Sequence, residues 1–320
     1  MRNHPPAAAA FIRGFFADLE SRGITAAVLH GWQNAFEDKP GDIDFALETA
    51  AFQKLVPQVH QWCVSQGWQL CQVLRHETTA AYCVCASVDH PEQVVALDAC
   101  SDYRRNETVL LTAEELLERR EPTPWGGMRL IEAMELRYRV AKAAAKKKNP
   151  EKSATEFARY SATARAEVTE WLKTRWGVHL EAWDAGAVAQ ALRELRGKTR
   201  NRPPLFALGS LARIGGRILH PSGLVIVADR EPEWVEELER RCGNYFRRTR
   251  TAAFWQVGMV RALVQSTAIF LPRRSGLALR LIPANCVLEL NPSWDLAACV
   301  GAIATALAAR CAKRNGLRAD

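Results

Sequence analysis

The stretch VLHGWQNAFEDKPGDIDFAL, Val28 to Leu47, decides how the first third of this chain folds. The run ITAAVLH reads as a strand that ends at Gly31, and a loop rich in Asp, Lys, Pro and Gly follows. The segment IDFAL then opens a second strand. Side chains alternate across a strand, so Asp42 and Asp44 share one face while Ile43 turns into the core. Two carboxylates on one face repel unless a cation sits between them. Hard oxygen ligands suit Mg²⁺ or Mn²⁺.

A third acid, Asp98, lies in the later strand VVALDAC among Val94, Val95 and Leu97. Burying it alone would be costly. A place beside Asp42 and Asp44 removes that cost and gives three carboxylates for two metal ions. Such a set supports phosphoryl or nucleotidyl transfer, one ion orienting a triphosphate and the other activating an acceptor hydroxyl. Gly31 would let the backbone approach the phosphates closely.

Around this stretch the chain reads as an α/β protein in three parts. Residues 1–120 alternate helices and strands, beginning with a helix that carries Phe11, Phe15, Phe16 and Leu19 on one face. Residues 121–215 read as helical, with a long basic helix running to Lys148 and further helices through EKSATEFARYSATARAEVTEWLKTRW and DAGAVAQALRELRG. A capping box at Thr112 and Glu115 starts the helix TAEELLERR just ahead of that part. The basic, proline-containing segment KTRNRPPL is a candidate boundary. Residues 216–320 contain the apolar strands GLVIVAD, STAIFLP and NCVLELN between helices, the pattern of a parallel sheet.

Composition sets outer limits. Apolar residues make up 48% and charged residues 24% of 320, ordinary values for a globular chain. No apolar run is read as a membrane span. Nine cysteines lack metal-ligand spacing and read as buried, reduced thiols, which places the protein in the cytoplasm. The net charge of +8 gathers in short clusters, Lys146–Lys148, Arg247, Arg248 and Arg250, and Arg273 with Arg274. These suit phosphate-bearing partners. No nucleic-acid recognition motif accompanies them, so nucleic acid is not the expected partner.

Further candidates surround the carboxylates. Lys39 precedes Asp42, Arg104 and Arg105 follow Asp98, and Lys142 and Lys146 share one helical face that could fold over the site. Each has a plainer reading as a solvated charge. His30 reads as a core residue, a hydrogen-bonding orienter or an acceptor contact.

Gly31, the spacing to Asp42-x-Asp44 and the later Asp98 resemble the nucleotidyltransferase superfamily that includes DNA polymerase β and the aminoglycoside nucleotidyltransferases. With LDACSDYRRN, TAEELL and the basic helix ending KKKN, the chain looks most like nucleotidyltransferases of bacterial polysaccharide loci, which often carry a C-terminal thymidylate-kinase-like domain. The resemblance implies metal ligation by Asp42, Asp44 and Asp98, with Asp98 also as base, and nucleotide contacts from the residues around Gly31 and Trp32. Where the superfamily has a small residue after the loop glycine, Trp32 stands here. It also implies a nucleoside triphosphate donor and a small-molecule or glycan acceptor in cell-surface polysaccharide synthesis. A catalytically inactive scaffold and a toxin-like transferase acting on tRNA or protein are the alternatives.

The kinase-like half departs from that pattern. GLVIVAD continues as REPEWVEEL, with no glycine nest and no phosphate-binding lysine, while Asp229, Glu231 and Glu233 would repel a triphosphate. The expectation is a degenerate P-loop fold that packs, binds a partner or forms a homodimer.

Overall fold

A computed structural model describes residues 7–33, 42–105, 108–199, 222–246, 248–251, 267–271 and 286–317, with positions 211 and 215. Lys39, Arg247, Arg273 and Arg274 lie outside them, as does most of KTRNRPPL.

In chain order the first part comprises α1 (Ala7–Ser21), β1 (Ala26–Val28), β2 (Ile43–Leu47), α2 (Thr49–Gln53), α3 (Leu55–Ser65), β3 (Trp68–Glu77), β4 (Ala80–Ser87) and β5 (Val94–Cys100). Next come the hairpin β6 (Tyr103–Arg105) and β7 (Thr108–Leu111), α4 (Ala113–Glu118), β8 (Arg120–Pro122) and β9 (Met128–Leu130). The helical middle is α5 (Glu132–Lys146), α6 (Pro150–Phe157), α7 (Ala162–Trp176) and α8 (Ala185–Lys198). The last part holds β10 (Leu224–Val227), α9 (Pro232–Cys242), β11 (Arg248–Thr251), β12 (Thr267–Leu271), β13 (Val287–Glu289) and α10 (Leu296–Asn315).

The architecture is mixed α/β. A seven-stranded mixed sheet runs in the order β3-β4-β5-β2-β1-β9-β8, and a four-stranded parallel sheet in the order β11-β12-β10-β13. The strands β8 and β9 complete the first sheet although they lie at or beyond residue 120. The stretch EKSATEFARYSATARAEVTEWLKTRW divides near Tyr160 into α6 and α7. There the Ser161 hydroxyl accepts the Ala164 N–H and caps a new helix. Thr112 and Glu115 form the expected capping box.

Pleating sorts the first sheet into two faces. On one, Ile43, Phe45, Leu47, Val95 and Leu97 pack against Phe11, Phe15 and Val59 of α1 and α3. The opposite face is covered in two pieces. Ala46, Ala80 and Cys100 join a core with Tyr138 and Val140 of α5, whereas Val84 and Ala86 join Ile226, Phe270 and Ile303 of the C-terminal part. The helix α10 lies against the edge strand β3, where the Cys71 thiol donates to the Ala304 carbonyl at 3.7 Å.

By length and composition, α10 could cross a membrane. Its apolar character has a packing explanation. Cys299, Val300, Ile303, Ala304 and Leu307 fill the C-terminal core, and the last turn carries Lys313 and Arg314. All nine cysteines are free and buried.

Candidate functional site

The strands β2 and β5 run parallel in a register that sets Asp44 directly beside Asp98. Neighbouring strands lie about 4.8 Å apart, so the two carboxylates share one face at close range. The same row continues through Tyr82 of β4 to Leu74 of β3. This row floors a cavity of about 560 Å³ in the gap between the two covering pieces.

Asp44 is the anchor of the site. Lys142 Nζ donates to both its oxygens at 3.1 Å, and the Tyr138 hydroxyl donates to Oδ1 at 3.3 Å. His30 Nε2 lies 2.9 Å from Oδ2 and 2.8 Å from Lys142 Nζ. One ring nitrogen cannot donate to the carboxylate and accept from the ammonium together. Donation to Asp44 is the arrangement that keeps the carboxylate ionised. Burial by itself would raise the Asp44 carboxyl, but the His30 hydrogen bond and the Lys142 charge more than offset it and hold Asp44 well below the usual carboxylate range.

Asp98 is pushed the other way. Burial first, then the charges of Asp44 and Asp42, raise its carboxyl to about 7, against the opposing pull of Lys142 and Lys146. Adjacent acids with separated titrations allow a division of labour, one permanently charged and one able to exchange a proton near neutrality.

The helix α5 supplies one wall because Tyr138, Lys142 and Lys146 recur every four residues. Tyr138 is fully buried, its ring stacked on His30 at 5.7 Å and edge-on to Tyr103 at 4.9 Å. Tyr138 is not among the residues singled out from the sequence, although one further step back from Lys142 along the same face reaches it. Arg104 and Arg105 also line the cavity. Arg104 is held by Asp102, whose Oδ2 accepts from Nε at 3.2 Å and Nη2 at 2.8 Å; its Oδ1 accepts the Ala113 N–H at 2.9 Å. Asp102 was not singled out from the sequence. By contrast, Arg105 keeps a buried Nη1 with no hydrogen-bond partner among the described residues.

Other expected contacts stand elsewhere. Gly31 has φ +67°, a left-handed conformation that a side chain would strain, so it sets the turn after β1. Trp32 packs under Arg129, whose guanidinium carbon is 4.7 Å from the ring centre, and its carbonyl accepts the Trp125 indole N–H at 3.4 Å. Neither Gly31 nor Trp32 is among the described lining residues of the cavity. Asp42 is exposed just ahead of β2, its charge still reaching Asp98.

Among the described residues, no three His, Cys, Asp or Glu side chains are grouped so as to hold a metal ion. The cation beside Asp44 is the Lys142 ammonium. Burial first, and then the charges of Asp44 and Asp42, account for the raised Asp98 carboxyl, and carboxylate oxygens are hard donors of the type that Mg²⁺ or Mn²⁺ takes. Compared with family models, curated proteins and solved structures, the chain matches none of them.

Proposed function

We propose that this chain is a nucleotidyltransferase-like enzyme that moves a nucleoside monophosphate from a triphosphate to an acceptor hydroxyl. The observation that carries this reading is the side-by-side placement of Asp44 and Asp98 on the floor of a cavity walled by Lys142, Lys146 and Arg105. Lys142 and Lys146 would hold the donor phosphates. Asp98 would take the proton of the acceptor hydroxyl as its oxygen attacks the α-phosphorus. The α–β bridge bond breaks in the same displacement, and pyrophosphate leaves. Asp44 stays ionised and keeps Lys142 and His30 oriented. Asp42 and Asp98 would hold Mg²⁺ or Mn²⁺. Such an ion would supply charge neutralisation at the phosphates. The sequence resemblance further suggests an acceptor from cell-surface polysaccharide synthesis, and a thymidylate-kinase-like ancestry for the parallel sheet.

One observation favours a second reading, a binding protein without turnover. Lys142 already neutralises Asp44, as an ammonium resident in a metal's place would. Thermal melting with ATP, GTP, CTP or UTP, with and without Mg²⁺ or Mn²⁺, separates the two. The enzyme reading expects a metal-dependent rise worth about 2.7 kcal/mol at one hundred times Kd, lost in Asp42→Asn/Asp98→Asn. A nucleotide shift indifferent to metal supports the binding protein, and no shift with any nucleotide removes both.

A further inference from the structure

The parallel sheet reaches the same cavity as the carboxylates. Ser222 and Phe246 line it together with Asp44 and Asp98. Ser222 lies just before β10 and Phe246 just before β11, so both belong to the end of the sheet where its strands begin. A phosphate loop would sit at the opposite end, after β10. The acidic segment that stands there instead leaves the wall facing the cavity untouched.

The cavity is polarised along its floor. At one end α5 covers the sheet and brings Tyr138, Lys142 and Lys146 to the two carboxylates. Toward the other, the floor passes from Asp98 through Tyr82 to Leu74, two strand spacings or about 10 Å. On this face of β4, Val84 and Ala86 are buried in the C-terminal core, whereas Tyr82 stands half-buried at its margin. Phe246 belongs to that core and meets the cavity from it. Leu74 is half-buried and joins none of the three cores formed by the described residues. Such a side chain gains when a ligand covers it. The charged residues nearby do not change this character. Arg75 is in register with Ala81 and turns to the other face of the sheet, and Glu77 and Arg314 are engaged in interactions of their own. A ligand charged at one end, with a flat ring at the other, fits this polarity, and a nucleotide is such a ligand. The span from Asp98 to Leu74 is comparable with the reach from an α-phosphorus to its base.

We propose that the C-terminal part forms the base-binding wall of the donor site. The nucleobase packs on Leu74 and Tyr82 with Phe246 as its aromatic cover, its α-phosphate toward Asp98 and the other phosphates toward Lys142 and Lys146. The donor thereby bridges the seam between the two parts, and the parallel sheet binds nucleotide without a phosphate loop of its own. This assignment rests on the nucleotidyltransferase reading. The test is calorimetry on the full chain in Mg²⁺, comparing ATP, GTP, CTP and UTP with inorganic tripolyphosphate, which has the phosphates and no base. Phe246→Leu keeps an apolar side chain in the core, and Leu74→Ala trims a residue outside the cores. Phe246→Leu should weaken at least one nucleoside triphosphate about fivefold, the worth of a lost ring contact, and leave tripolyphosphate unchanged. Leu74→Ala should give a smaller loss with the same selectivity. Unchanged binding of all four nucleotides in both variants, or equal weakening of tripolyphosphate and nucleotide in Leu74→Ala, overturns the proposal. If nucleotides and tripolyphosphate bind alike and neither variant separates them, the donor reading stands and the base wall alone falls. If neither kind of ligand binds, the donor reading fails and the wall falls with it.

Discussion

The two sheets of this chain present two mouths of opposite character. At the seven-stranded sheet, Asp44 and Asp98 stand side by side over a cavity, and Lys142, His30 and Tyr138 converge on one of them. At the carboxyl end of β10, where an open parallel sheet commonly binds its ligand, Asp229, Glu231 and Glu233 are all exposed. The nearby Arg230 is committed to its surroundings. Its Nη2 donates to the Trp294 carbonyl at 3.1 Å, and its guanidinium lies 5.2 Å from the Trp234 ring. Charge at the first mouth is partly buried and organised, so removing one member must disturb the others. Charge at the second is solvated, and each residue is close to independent of its neighbours.

That contrast predicts its largest effect at Lys142. Lys142→Met leaves the Asp44 carboxylate buried without its ammonium, which should cost about 3–5 kcal/mol of unfolding free energy in urea titrations. Glu231→Ala at the other mouth should change stability by less than about 0.5 kcal/mol. The folded value of Asp44 is depressed, so the pair's contribution is present above the unfolded value of 3.8 and lost as pH falls through the lower folded value. The Lys142→Met deficit should therefore shrink in strong acid. A deficit no larger than that of Glu231→Ala would erase the distinction between the mouths.

Asp98 gives the next effect, with the opposite sign. Its folded value is raised from 3.8 to about 7, so the native state binds the extra proton between those values. Stability from this group accordingly falls as pH rises from about 4 to 7 and then levels off. Removing the charge with Asp98→Asn should stabilise the metal-free protein by an amount on the order of 3 kcal/mol at pH 8, and by little at pH 4. Paired melts at the two pH values check this, and an equal shift at both would mean that Asp98 does not carry the strain assigned to it.

Much of the first mouth was legible in sequence because it depends on short-range rules. Strand alternation groups Asp42 with Asp44, the cost of burying a lone acid brings Asp98 to them, and four-residue spacing groups Lys142 with Lys146. What escaped depends on contacts between distant segments. No local pattern says that Lys142 would neutralise Asp44 itself, or that His30 would join them. The strand β11 reads RTRT, and its arginines drew attention as a basic cluster, although its parallel pairing with β12 makes it the edge of a sheet. Trp32 follows a glycine that suggested a phosphate contact. Its ring settles with Arg129 and the first core instead, because so large an aromatic gains more from burial than from solvent. Ser222, Phe246 and Arg314, which line the cavity from the C-terminal part, had no sequence signal, since which end of one sheet meets the face of another is decided by packing alone.

The smallest effect concerns Asp229, two residues beyond β10, with φ +44°. Aspartate tolerates this left-handed conformation, whereas a β-branched side chain there crowds the following carbonyl. Asp229→Val should therefore cost about 1–2 kcal/mol, read from the urea midpoint. Its value for the comparison lies in what it leaves alone. If triphosphate binds at the Asp44–Asp98 cavity, the nucleotide-induced thermal shift should persist in Asp229→Val at its full size. Were the shift to vanish while the fold survives, the carboxyl end of β10 would be the nucleotide site. The buried carboxylates would then serve the architecture, and the roles of the two mouths would be exchanged.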